Sequence, residues 1–169
     1  MPDTIRHFVH FVDRFNRTVG RAAMYLIVLL LAILLYAAFS KAAFAISPIW
    51  TVEMAQFTLT TYYMLGGAFS MQNGAHVRMD LFYSNWRPRT RAIVDCFTIF
   101  ALITYLVVLL IGGIQSTWYA FENGQARPSA WGPLLWPIRL IMCLGALMML
   151  MQAVATFFKD LAAARGETI

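Results

Sequence analysis

Four long apolar runs separated by short polar connections organise the sequence, at residues 22–39, 52–71, 92–113 and 134–158. With a rise of about 1.5 Å per helical residue, each can cross a hydrocarbon core of about 30 Å, so the pattern predicts four transmembrane helices. Ahead of the first run, Ile5, Phe8, Val9, Val12, Phe15 and Val19 recur at helical spacing while Arg6, His10, Asp13, Arg14 and Arg17 fill other faces. That pattern predicts an amphipathic interfacial helix over 5–20, lying along the cytoplasmic leaflet before the chain turns inward, with packing against another subunit as the alternative. The connections leave no room for a soluble domain. Residues 1–169 therefore read as one all-α membrane domain.

Polar positions inside the runs carry the next layer of information. Glu53, Gln56, Thr60 and Thr61 mark part of the second run, and a helix facing lipid on all sides has no use for them. Gly66, Gly67, Ser70 and Gly74 follow, with small-x-x-x-small steps from Gly66 to Ser70 and from Ser70 to Gly74 that let two helix backbones approach closely. The fourth run holds Arg139 one turn in, Gly145 as a second close-approach position and Gln152 as an interhelical hydrogen-bonding group. Arg139 has three options, to snorkel outward or to pair with Glu122 or Glu53. Asp95 lies about one turn inside the third run, within reach of the headgroup level and of Arg89 or Arg91.

Charge sets the expected orientation. Ten basic residues flank one side of the spans, namely Arg6, Arg14, Arg17, Arg21, Arg78, Arg87, Arg89, Arg91, Lys159 and Arg165, against Lys41, Arg127 and Arg139 toward the other. By the positive-inside rule both termini are expected in the cytoplasm. The chain is 60% hydrophobic and 12% charged with a net charge of +5, where soluble domains are about 25% charged. This excess of positive charge fits anchoring on anionic lipid, with Arg14 and Arg17 as anchors, and gives a nucleic-acid partner little support. Trp50, Trp131 and Trp136 fall at span boundaries, where an indole keeps its ring among headgroups. The first run follows residues 1–21 without a small-residue cleavage pattern and reads as a retained anchor.

Reactive chemistry has no evident seat. His7 and His10 precede the first span and His76 lies in a connection, so no intramembrane histidine pair offers itself to haem. Cys96 and Cys143 fall inside spans, where packing as small hydrophobes is the default. No catalytic, substrate-binding or metal residue is expected. The connection after the second run, QNGAHVRMDLFYSNWRPRTR, places His76, Arg78 and Asp80 between the turn-forming Gly74 and Pro88. A cytoplasmic elbow is the reading for those residues.

The acid Glu53, the segment LGGAFSMQNGAHVRMD, Pro88-Arg89 and the later WGPLLWPIRLIMCLGALMMLMQ together resemble the small membrane subunit of tripartite ATP-independent periplasmic transporters, the DctQ-like subunit. The resemblance runs from about residue 14 to 160. It implies a complex in the bacterial or archaeal cytoplasmic membrane with a large many-span transport subunit and a periplasmic substrate-binding protein. It also implies sodium and substrate sites in the large subunit, no cofactor in this one, and uptake of organic acids or related solutes by an elevator driven by an ion gradient. In that frame Glu53, Gly66, Gly67, Ser70, Arg139, Gly145 and Gln152 are the expected subunit or helix interface. His76, Arg78, Asp80 and Pro88 form the elbow, and Arg14, Arg17, Trp50, Trp131 and Trp136 anchor the scaffold. The competing reading is a small integral membrane redox or lipid-processing enzyme.

Overall fold

A computed structural model describes the backbone of residues 3–73 and 88–164, and side chains within 5–73 and 98–159. Four helices account for nearly all of it: α1 (Asp3–Phe44), α2 (Ile49–Gln72), α3 (Pro88–Glu122) and α4 (Trp136–Ala164). The described chain is an all-α bundle. Helices α1, α2 and α4 pack on one another, and α3 packs along α4.

α1 differs from its expected division. The predicted interfacial helix 5–20 and the first run 22–39 form one uninterrupted helix of 42 residues, about 63 Å long, with no turn between them. The cause is a single narrow seam. Val9, Val12, Asn16, Gly20 and Ala23 are buried at steps of three and four across the predicted boundary, and Ile33 and Ser40 are buried further along the same helix. Residues 21–22 carry no Pro to break the backbone ladder, and Gly20 is used for close packing on α2. The apolar stripe of the N-terminal segment is thus partly spent within the chain: Val9 and Val12 form a buried cluster with Ala155 of α4, ringed by Ile5, Met151 and Phe158. Phe8, Phe11 and Phe15 remain exposed on a neighbouring flank.

The connection from α1 to α2 is tight. Ala45 takes a left-handed backbone, φ 51°, and its N–H donates to the Lys41 carbonyl at 3.1 Å. Pro48 then sets up the start of α2, and the Thr51 hydroxyl donates to the Pro48 carbonyl at 2.8 Å. At the end of α3, Gln125 N–H reaches back to the Ala120 carbonyl at 3.0 Å, and Gly124 supplies the positive φ of 55° that this reversal needs.

Among the described residues, three helical segments are long and apolar enough to cross a membrane: Ile5–Phe44, Thr98–Glu122 and Trp136–Lys159. α2 is not among them. Its 24 residues would extend about 36 Å, but Glu53, Gln56 and a set of threonines lower its apolar character. Those groups belong to a helix held between two others, where Thr51, Glu53 and Thr58 are buried. Large apolar side chains instead face outward on the more apolar helices, among them Tyr25, Val28, Leu35 and Phe39 on α1 and Phe100, Tyr105, Val108 and Trp118 on α3. Lipid is as apolar as those side chains, so close packing and interhelical hydrogen bonds hold such a bundle together.

Candidate functional site

Among the described residues, close helix contact is made at four glycines. A Cβ on Gly145 of α4 would lie 2.8 Å from both the Cβ and the carbonyl oxygen of Met64, so the backbones of α4 and α2 touch there. On Gly20 it would collide with Phe69, on Gly67 it would meet the Met149 sulfur at 2.8 Å, and on Gly113 it would meet the Cys143 sulfur at 2.9 Å. Of these, Gly145 and Gly67 are among the residues expected from sequence. Gly66 behaves differently, with no atom within 4 Å of a Cβ placed on it. Ser70 is half-buried on the same helix.

One end of the bundle is tied by a polar cluster. Gln152 is fully buried on α4, where its Oε1 accepts from Asn16 Nδ2 at 2.7 Å and its Nε2 donates to Asp13 Oδ1 at 3.1 Å. Lys159 Nζ donates to Asp13 Oδ2 at 2.6 Å, forming an ion pair. Gln72, at the end of α2, donates through Nε2 to the Asp13 carbonyl at 3.1 Å. Three helices therefore converge on Asp13. An amide buried without partners would be strongly unfavourable, so the cluster fixes the register of α1 against α4 as well as their contact. Gln152 was expected at an interface; its partners Asp13 and Asn16 were not. The signal for Asn16 lay in the seam, where a polar side chain occupies a position otherwise filled by Val9, Val12 and Ala23.

The opposite end is closed by the connection between α3 and α4. Arg127 N–H donates to the Pro133 carbonyl at 2.9 Å and Leu135 N–H to the Gln125 carbonyl at 2.9 Å, folding the segment back on itself. From this fold Arg127 Nη1 reaches Gln56 Oε1 of α2 at 2.6 Å. Arg139 takes neither of the acidic partners considered from sequence: its Nη1 donates to the Ser116 carbonyl of α3 at 2.9 Å. The Thr117 hydroxyl and Cys143 sulfur, 3.4 Å apart, add a second link between α3 and α4.

Glu53 is 7% exposed, and its Oε2 has no hydrogen-bond partner. The threonines of α2 make no such demand, because Thr58, Thr60 and Thr61 each donate to the carbonyl four residues earlier. Trp50 stacks on Tyr36 at a centroid distance of 5.8 Å, joining α2 to α1. Trp136 meets Phe121 edge-on at 5.8 Å, while Trp131 is exposed on the connection. Arg14 and Arg17 are exposed on α1. The elbow residues His76, Arg78 and Asp80 lie outside the described residues; Pro88 opens α3, its side chain outside them as well. Among the described residues no three His, Cys, Asp or Glu side chains gather to hold a metal ion.

The family model for tripartite ATP-independent periplasmic transporters, DctQ component, matches residues 30–163. The chain belongs to the DctQ family. Its members are non-catalytic transporter components, and membership implies partners of the DctP and DctM type. The matched stretch takes in all four glycine contacts except Gly20, along with Gln152 and Lys159; Asp13 and Asn16 precede it. No curated protein and no solved structure gave a match. The chain is thus a multi-pass helical membrane component of a DctQ-type transporter.

Proposed function

We propose that this DctQ-family chain is the fixed scaffold subunit of a sodium-gradient-driven, binding-protein-dependent elevator that imports organic acids or related small solutes. The observation that carries the proposal is the family match over 30–163 in a bundle whose outward faces are apolar and whose inner contacts are cross-tied at both ends. An elevator moves one body across the bilayer against another that stays still. Rigidity in the stationary body favours that division of labour, and the Asp13 cluster, the glycine contacts and the Arg127–Gln56 bond supply it. A large transmembrane subunit then carries the sodium and substrate sites. A periplasmic binding protein delivers the solute.

In this reading α2 crosses the membrane as the fourth span. Gln56 is met by Arg127 of the α3–α4 connection, and Thr58, Thr60 and Thr61 donate to carbonyls of their own helix, which supports the crossing despite its lower apolarity. Both termini lie in the cytoplasm: the first turns of α1 and the last turns of α4 share one end of the bundle, and the basic residues concentrate there. Gly66 and Ser70 are offered as contacts for the large subunit, while Gly67, Gly145, Arg139 and Gln152 serve packing inside the chain. Extraction from the native membrane in mild detergent is expected to recover the chain together with a large many-span subunit. Isolation of the chain alone, under conditions that keep other membrane complexes whole, would remove the basis for a scaffold role.

A further inference from the structure

One face of α1 carries two different kinds of side chain in a single row. His10, Arg14, Arg17, Arg21, Met24, Val28, Leu31 and Leu35 follow one another at steps of three and four, so they stack along the helix, and every one is exposed. The row is cationic down to Arg21 and apolar from Met24. Where it passes the polar end of the bundle, His10, Asp13, Arg14, Arg17 and Gln72 line an open recess of about 490 Å³. The recess lies level with Gln72 and Lys159, immediately past the apolar runs of α2 and α4, which is the level of lipid headgroups.

The charge of the recess is one-sided. Asp13 commits one carboxylate oxygen to Gln152 and the other to Lys159, and its carbonyl accepts from Gln72. Its negative charge is already matched by a lysine on α4. Arg14 and Arg17 form no ion pair among the described residues. Two guanidinium groups thus face an opening whose only carboxylate among the described residues is engaged elsewhere. Planar N–H pairs of this kind suit phosphate oxygens.

We infer that the recess seats the phosphate of an anionic phospholipid, with an acyl chain lying along Met24, Val28, Leu31 and Leu35. From Met24 to Leu35 the helix rises about 16 Å, close to the thickness of one leaflet's hydrocarbon, about 15 Å. An acidic protein segment or a free anion would match the cationic half of the row alone. The apolar half continues it in register, as the tail of a lipid continues its headgroup. The lipid would brace α1 at the point where α4 and α2 are joined to it through Asp13. The inference does not depend on the transport reaction.

The test uses the full purified chain in detergent micelles, titrated with phosphatidylglycerol or phosphatidylcholine and read by native mass spectrometry. Phosphatidylglycerol is expected to be retained in preference to phosphatidylcholine. At about fivefold per arginine, Arg14→Gln with Arg17→Gln is expected to weaken that retention about 25-fold, with unchanged helicity and elution volume. Each single variant should lose about fivefold, which keeps the test informative if the double variant folds poorly. Equal retention of the two lipids would overturn the inference, as would displacement of phosphatidylglycerol by inorganic phosphate with no effect of Val28→Asn. So would a double variant that keeps its lipid but no longer captures the large subunit, which would assign the arginines to an acidic protein surface.

Discussion

Replacing Gly145 by Ala tests the close contact between α4 and α2 with a single added methyl. The new Cβ would fall 2.8 Å from Met64 Cβ and 2.8 Å from Met64 O, whereas ordinary contacts begin near 3.4 Å, so the helices must separate by about 0.6 Å. Met64 offers backbone and Cβ there, neither of which can rotate aside. A gap of that size forfeits about a quarter of the dispersion attraction at each neighbouring contact, and overpacking of this kind typically destabilises by about 1–3 kcal/mol. The gain in helix propensity from Gly to Ala offsets up to about 1 kcal/mol. With the full offset a net loss of up to about 2 kcal/mol is expected. Gly66→Ala supplies the control on the same helix pair, since its Cβ meets nothing within 4 Å and only the propensity gain applies. Denaturant unfolding of both variants in mixed micelles, followed by helicity, measures the difference directly. Gly145→Ala as stable as Gly66→Ala would refute the close contact at Met64.

Other perturbations probe the remaining contacts. Gly67→Ala should lose less than Gly145→Ala, about 1 kcal/mol or below, because the Met149 thioether is flexible enough to move; the same unfolding series reads it. Asp13→Ala should destabilise by about 1–3 kcal/mol because it leaves the Gln152 amide buried with an unmet donor, while Lys159→Ala should change stability by less than about 1 kcal/mol, since that ion pair is partly exposed and screened. A reversal of that order would show that the ion pair, and not the buried amide, holds α1 to α4. Ala45→Gly should stabilise the chain by up to about 1 kcal/mol, because its φ of 51° suits glycine; an unfolding midpoint lower than that of the native chain would contradict this.

The helices were legible because apolar runs and turn residues report directly on local structure. Pro48 and Pro137 both sit where helices begin, α2 and α4 in turn. The continuity of α1 was harder to see. Its N-terminal segment has both a basic face and an apolar stripe, the composition of an interfacial helix, and only the path of α4 reveals that Val9 and Val12 already have a partner in Ala155. Interhelical pairs follow the same logic. Gln152 announces itself as a polar group in an apolar run, but its link to Asp13 and Asn16 spans more than 130 positions and depends on how α1 and α4 pack. Arg139 was recognisable as needing a partner. That the partner is a main-chain carbonyl on α3, which every residue possesses, leaves no trace in the side-chain sequence.

The scaffold role is tested most directly by uptake into proteoliposomes that contain the large subunit and its binding protein, with and without this chain, under an inward sodium gradient. Solute accumulation is expected only when the chain is present, and to fall when Gly145→Ala or Asp13→Ala loosens the bundle. Full sodium-driven uptake in its absence would contradict the account.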